Sequence, residues 1–311
     1  IGEISALTCV GAINFTDALN IVRQRGLFMK EAVPEGAGKM SAVANLDINL
    51  IEEVCRELSS PGNEVVVSNY NGRNQYVISG LDQNVKSVGN KLSEMGARVI
   101  PLNVSAPFHS PYMKPAANRF KEELTKYTFN NFDIPVISNI DALPYSDKNL
   151  IPEKLVTQLE APVQWVKTVE FLYANGVDMV VELGPKAVLK NLVKATEPSI
   201  KAYAFDQVED LAMLDKSIPD FVNKCMAISV CTRNYNWDDA EYKRGVSDNY
   251  SVIQKMAEEL EAGTIIPDMS CVQKAYGILN TILDTKKVPD SERRMRIEEL
   301  FENPVGCFLN M

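Results

Sequence analysis

The alternation of strand and helix patterns between residues 39 and 104 is the feature that most constrains the fold of this chain. One strand-like run is followed by an amphipathic helix, two more strands, a second amphipathic helix and a last strand. The two middle strands, Val65–Asn69 and Tyr76–Ser79, are expected to pair through a turn at Asn71-Gly72. The resulting order, βαββαβ, predicts a ferredoxin-like unit of about 65 residues.

Helices and short strands also alternate on both sides of this unit, which predicts an α/β protein with a parallel sheet and helices on both of its faces. We therefore expect residues 1–38 and 105–204 to form one large domain, interrupted by the inserted subdomain 39–104. Residues 205–311 carry few strand patterns and several helical ones, so a mainly helical C-terminal extension is expected there.

Composition excludes several classes of function. The formal net charge of −9 argues against a nucleic-acid partner, and the apolar runs are too short for a membrane helix of about 20 residues. Six cysteines without a Cys-x-x-Cys pair, together with one histidine, make a metal site improbable and favour a cytoplasmic setting. Cys9, two turns into the opening helix, is expected to be a buried packing residue.

The only histidine, His109, lies in the segment Asn103-Val104-Ser105-Ala106-Pro107-Phe108-His109-Ser110, with Met113 three residues beyond. A single histidine is either a structural side chain or a general base. This segment resembles the histidine segment of malonyl-CoA:acyl-carrier-protein transacylases and of polyketide-synthase acyltransferases. The resemblance extends from Ile1 to about Ala204 and implies a hydrolase-like large domain. The tail resembles, more weakly, the extension of trans-acting polyketide acyltransferases.

The opening run Ile1-Gly2-Glu3-Ile4-Ser5-Ala6 is similar to the end of the family motif Gly-His-Ser-x-Gly-Glu-x-x-Ala. Ile1 then falls directly after the nucleophilic serine, which the family presents on a strained strand-to-helix turn. We expect that serine to be chemically modified and for that reason left out of the sequence. A cleavage, a separately encoded half and an arbitrary boundary are alternatives that the residues leave open.

The resemblance also implies the catalytic roles. His109 would take the proton of the serine and return it to the departing thiol of coenzyme A. The backbone carbonyl of Gln158 would hold the imidazole in place of the usual triad carboxylate. The N–H of Ile1 would stabilise the oxyanion. For Gln158, a packing or surface position near a helix end is an equal alternative.

Selection of the acyl group is assigned to two further residues. Arg25, in Gln24-Arg25-Gly26, matches the arginine that binds the free carboxylate of malonyl, a group that is costly to bury without a cation. Phe108 resembles the aromatic that accompanies malonyl specificity, since its ring would crowd an α-methyl group. Buried packing explains Phe108 equally well.

Two other positions match the family and one departs from it. Asn71 corresponds to an asparagine of the small subdomain near the active site, with a plain role in a hairpin turn as the alternative. Arg98 resembles a basic residue that meets the phosphate of coenzyme A or phosphopantetheine. Lys186 stands where the family usually has glycine in Glu-x-Gly-Pro-Gly-x-Val-Leu, so the backbone there must tolerate a side chain.

Together these residues predict an enzyme that transfers malonyl from malonyl-CoA to an acyl carrier protein for polyketide or fatty-acid synthesis, without a cofactor. Polyketide synthase modules are further candidate partners. One alternative is an acyl hydrolase of the same fold, which Arg25 disfavours because related hydrolases lack that arginine. The other is a non-catalytic docking fragment. The charged helix from Ser291 to Arg296 is either a solvated face or a docking site.

Overall fold

The computed structural model of the protein describes residues 1–104 and 106–301, so Ser105 and residues 302–311 of the expected extension lie outside it. A 3₁₀ turn occupies Pro111–Met113 and a π-helical segment occupies Lys243–Ser247. The helices and strands have the following bounds: α1 Gly2–Cys9, α2 Phe15–Glu31, β1 Gly38–Ala44, α3 Ile48–Glu57, β2 Val65–Gly72, β3 Gln75–Leu81, α4 Asp82–Glu94, β4 Arg98–Pro101, α5 Lys114–Leu124, α6 Leu150–Thr157, α7 Trp165–Ala174, β5 Met179–Glu182, α8 Val188–Thr196, β6 Lys201–Ala204, α9 Val208–Cys231, α10 Asp239–Tyr242, α11 Asp248–Glu261, α12 Met269–Thr285 and α13 Asp290–Phe301.

The chain has a mixed α/β fold and divides into two compact units. The first unit comprises residues 1–176 with 195–198, and the second comprises residues 177–194 with those from 199 onward. The candidate site residues of the sequence analysis all belong to the first unit.

Strands β1 to β4 form one antiparallel sheet in the first unit, in the order β2-β3-β1-β4. Helix α3 begins after Asp47, whose carboxylate accepts a hydrogen bond from the backbone N–H of Asn49. It buries Ile51, Val54 and Cys55, spaced for one helix face, in a core shared with the sheet and α4. Strand β3 is buried along almost its whole length because both of its faces are covered.

The predicted turn at Asn71-Gly72 is wrong. Both residues belong to β2, and the hairpin turns at Arg73 and Asn74, so that Gly72 pairs with Gln75. An irregularity of register between Tyr70 and Gly72 leaves Asn71 without a partner position. The bulge lengthens β2 and moves the turn by two residues, which the Asn-Gly dipeptide alone did not indicate.

A second core of the first unit lies between α1, α2, α5 and α6, with Ile4, Leu7 and Phe120 among its fully buried side chains. Helix α2 is capped at its N-terminus by Asn14, whose side chain accepts a hydrogen bond from the N–H of Asp17. The prediction that Cys9 is buried is wrong. Helix α1 packs through the face that carries Ile4 and Leu7, and Cys9 lies on a different face, where it is exposed.

The second unit contains the parallel pair β5–β6 and the helices from α9 to α13. Its helical core includes Phe221, Cys225 and Leu279. Lys186 has a φ of +70°, the left-handed conformation for which glycine is favoured, and its N–H donates to Asp206. Within the described residues, no helix has the length and apolar character required to cross a membrane.

Candidate active site

His109 lies in the loop between β4 and the 3₁₀ turn, with a φ of +56°. The loop is fixed against the sheet because the hydroxyl of Ser79 in β3 donates to the carbonyl of Phe108 at 2.8 Å. One residue earlier, Pro107 packs directly on Gly38 of β1. A Cβ atom at Gly38 would lie 2.0 Å from Pro107 Cδ, so only glycine permits this approach.

The imidazole of His109 is oriented by a backbone carbonyl. Its Nδ1 lies 2.8 Å from the carbonyl oxygen of Gln158, the residue that follows α6. A carbonyl oxygen only accepts, so Nδ1 must carry the proton, and Nε2 of the neutral ring is then a proton acceptor. The segment after Gln158 is fixed in turn, because Val163 exchanges backbone hydrogen bonds with Ser68 and Tyr70 of β2, each at 2.9 Å.

Behind Gln158 lies a buried carboxylate, Glu3 of α1, which is 6% exposed. It accepts hydrogen bonds from the side-chain Nε2 of Gln158 at 2.7 Å and from the backbone N–H of Asn139 at 2.8 Å. The hydroxyl of Tyr145 donates to its other oxygen. Burial and this carboxylate together raise the pKa of Tyr145, which keeps the phenol protonated as a donor.

Arg25 of α2 lies close enough to this cluster to interact with it electrostatically. Burial lowers the pKa of its guanidinium, while the charge of Glu3 opposes that shift. Its Nε atom is buried and has no hydrogen-bond partner among the described residues. A buried donor without an acceptor is unfavourable, so the Nε of Arg25 has an unused capacity to donate a hydrogen bond.

Ile1 stands at the N-terminus of α1, where its carbonyl accepts the first helical hydrogen bond from Ser5. Its side chain is 69% exposed. The Ile1 nitrogen lies near Arg25.

Burial lowers the pKa of His109 from 6.5 to about 4. The carbonyl of Gln158 opposes this shift by stabilising the protonated ring, and the charge of Arg25 adds to it. The imidazole is consequently neutral at physiological pH and can act as a base.

The remaining predicted site residues, Phe108, Asn71 and Arg98, lie in different parts of the first unit. Phe108 is half-buried against the core that includes Met113. Asn71 lies two residues beyond Asn69, which bridges to Val163.

Arg98 is exposed at the start of β4, opposite Ala44 and six residues along β1 from the Gly38–Pro107 contact. At about 3.3 Å a residue that separation is about 20 Å. The structure therefore does not bring Arg98 next to the loop that carries His109.

A groove of about 490 Å³ opens beside His109 between α3, β2 and the segment that follows α6. Its lining includes Arg56, Ser59, Tyr70, Glu160 and Pro162. A groove of this size, with a base at its edge, has room for an extended polar chain.

Sequence reasoning assigned no role to Glu3 or Tyr145, although Glu3 stands in the segment that resembles the family motif. One signal was present: Glu3 precedes Ile4 and lies four residues before Leu7, so it falls on the apolar face of α1, where an acid is buried only with partners. The partners themselves, 136 to 155 residues away along the chain, carried no such signal.

Comparison with known proteins gives a family for this chain. Residues 1–234 match the acyl transferase domain. The malonyl CoA-acyl carrier protein transacylase of Bacillus subtilis is 35% identical over 303 residues, which cover 94% of this chain and 76% of that protein.

Solved structures agree with this match. The malonyl CoA-acyl carrier protein transacylase of Clostridium perfringens superposes with a TM-score of 0.67 at 35% identity, covering 70% of this chain and 69% of that one. A malonyl-transacylase in complex with its type II polyketide synthase acyl-carrier protein gives a TM-score of 0.66 at 38% identity, covering 68% of each chain. The chain therefore belongs to the acyl transferase family, among relatives that are malonyl CoA-acyl carrier protein transacylases.

Proposed function

We propose that this protein transfers malonyl from malonyl-CoA to the phosphopantetheine thiol of an acyl carrier protein, for polyketide or fatty-acid synthesis. The observation that carries the proposal is the 2.8 Å contact of His109 Nδ1 with the carbonyl of Gln158, because it fixes the tautomer that a general base requires. Family membership and the names of the relatives point to the same reaction.

The reaction proceeds by two exchanges at one serine, which the family resemblance puts directly before Ile1. In the first, Nε2 of His109 takes the serine proton while the serine oxygen attacks the thioester carbonyl. The carbon–sulfur bond then breaks, an ester bond remains, and the departing thiolate receives the proton from His109. The second exchange runs the same steps in reverse with the phosphopantetheine thiol as nucleophile, and no cofactor is needed.

Transition-state stabilisation is assigned to the start of α1. The backbone N–H of Ile1 would be the first amide after the nucleophile, at the positive end of the helix dipole, which suits a developing oxyanion. The guanidinium of Arg25 would bind the free carboxylate of the malonyl group, which would supply the missing acceptor for Nε.

The remaining predicted residues have supporting roles in this proposal. The ring of Phe108 would restrict the space next to the malonyl α-carbon, and Asn71 would contribute from the small subdomain. Arg98 would meet a phosphate only at the outer end of coenzyme A or phosphopantetheine, given its distance along the sheet from His109.

We also propose the finer fold assignment on the basis of element order. The order β1-α3-β2-β3-α4-β4, with sheet order β2-β3-β1-β4, supports a ferredoxin-like subdomain inserted into a hydrolase-like large domain. A cytoplasmic location stays a prediction.

The test is a mass spectrum of the intact protein after incubation with malonyl-CoA, followed by addition of holo-acyl carrier protein. We expect a malonyl ester on the protein that disappears as malonyl appears on the carrier protein, and no ester in a His109→Ala variant. Release of malonate to water at the same rate with or without carrier protein would instead indicate the hydrolase. A protein that never acquires the ester would be the docking fragment.

A further inference from the structure

The buried carboxylate of Glu3 has hydrogen bonds to three different parts of the first unit. Its partners are Asn139 in a loop, Tyr145 near an isolated β-bridge, and Gln158 just after α6. Burying a carboxylate is costly, and three donors are the compensation expected for a group that is kept in place. Each donor is neutral, so the arrangement is not simply an ion pair that stabilises the fold.

Gln158 connects this carboxylate to the base. Its backbone carbonyl accepts from His109 Nδ1 at 2.8 Å, while its side-chain Nε2 donates to Glu3 at 2.7 Å. The amide orientation follows from the chemistry, because the alternative would set the amide oxygen against a carboxylate oxygen. The two bonds hold Gln158, which is 4% exposed, from both of its ends.

The carbonyl of Gln158 needs such a restraint. Helix α6 ends at Thr157, and the last carbonyls of a helix have no partner within it. The N–H of Gln158 bonds back to Lys154, but its carbonyl points out of the helix toward His109. The peptide plane after Gln158 is held on its N–H side, where Leu159 donates to the carbonyl of Val156 at 3.1 Å. The bond from the Gln158 side chain to Glu3 adds a second restraint on the acceptor of the imidazole.

We infer that Glu3 is a positioning residue that, through the side chain of Gln158, holds the Gln158 carbonyl against His109 and so maintains the Nδ1–H tautomer. The inference rests on the proposed function, in which Nε2 of that tautomer is the base. Glu3 orients the ring as a triad carboxylate would, but it acts through Gln158 and does not touch the imidazole.

Two substitutions separate this role from simple packing. Glu3→Ala removes all three hydrogen bonds. Glu3→Gln preserves the shape: its amide oxygen can accept from Gln158 and Asn139, and its NH₂ can donate to the Tyr145 hydroxyl, which both donates and accepts. Tyr145→Phe is the matched control, since it removes a donor from the same carboxylate while the bond to Gln158 stays.

The first measurement is the tautomer of His109, read from nitrogen chemical shifts of ¹⁵N-labelled histidine in the protein, with a His109→Asn variant to assign the signal. We expect a predominantly Nδ1–H ring in the native protein, in Glu3→Gln and in Tyr145→Phe. In Glu3→Ala the Nε2–H form should appear. If Glu3→Ala does not fold, Gln158→Ala gives the same test, because it removes the side-chain anchor and leaves the carbonyl.

The second measurement is the rate of acylation by malonyl-CoA. Misplacing the base predicts that kcat falls about 10- to 100-fold in Glu3→Ala, with KM nearly unchanged. Tyr145→Phe and Glu3→Gln should stay within about threefold of the native kcat. A folded Glu3→Ala with the native tautomer and rate would overturn the inference, as would an equal loss in Tyr145→Phe. If the native protein forms no malonyl ester, the proposed function fails instead, and the tautomer measurement still decides the role of Glu3.

Discussion

Arg25→Ala tests the assignment of the acyl-group specificity. The guanidinium of Arg25 is partly buried and its Nε has no acceptor within residues 1–104 and 106–301, so a malonyl carboxylate bound there would be paired with it away from water. Removing one partner of a buried charge pair costs about 3–5 kcal/mol. At about 1.4 kcal/mol per tenfold change, kcat/KM for malonyl-CoA should fall by about 10²- to 10⁴-fold. Acetyl-CoA has no carboxylate and should lose little, so the variant should prefer acetyl over malonyl.

The assay is the initial rate of ester formation with each thioester, measured on the native protein and two variants. Arg23→Ala is the matched control, because Arg23 lies on the same helix but is exposed. It should keep the native ratio of malonyl to acetyl rates. A folded Arg25→Ala that loads malonyl at the native rate, or that loses both activities equally, would refute the assignment of Arg25 to the carboxylate.

Three further perturbations follow from the geometry. Because burial lowers the pKa of His109 to about 4, the unfolded chain takes up a proton on this ring first as pH falls. The free energy of unfolding should thus be unaffected above about pH 6.5 and decline by up to about 3 kcal/mol toward pH 4, a loss that urea titrations of His109→Asn should lack. Gly38→Ala sets a Cβ against Pro107, which should cost about 1–3 kcal/mol in urea unfolding and slow ester formation; native stability would contradict it. Lys186→Gly relieves a left-handed residue and should gain about 0.5–1 kcal/mol, whereas Lys186→Ala should gain nothing.

Local sequence patterns were sufficient to predict the order of elements in residues 39–104. The buried faces of α3 and α4 and the two central strands follow from apolar spacing, which a helix or strand displays within ten or so residues. The hairpin turn was misplaced because a bulge before Gly72 depends on the partner strand. Helix α9 contains Pro219, a residue that normally ends a helix, so its full length does not follow from the local pattern. Burial of Phe221 and Cys225 in the helical core offsets that cost.

The candidate site divides in the same way. His109, Gln158 and Arg25 were predicted because the short segments around them resemble those of the family. The structure sets His109 against Gln158, 49 residues further along the chain. The contacts of Glu3 span far more of the chain and exist only once α1 packs beside α6 and the loop around Asn139. No local pattern can encode which distant donors a buried acid will meet.

The position of Glu3 explains how the imidazole of His109 can be both oriented and neutral. A carboxylate bonded directly to the imidazole would orient it but would also stabilise its protonated form and raise its pKa. A neutral carbonyl orients the same Nδ1–H with a weaker effect on the charge, so burial and Arg25 prevail and the pKa is lowered. Setting the carboxylate of Glu3 behind Gln158 supplies rigidity without that charge at the ring. The ring thus stays neutral, as a base must be before it accepts a proton.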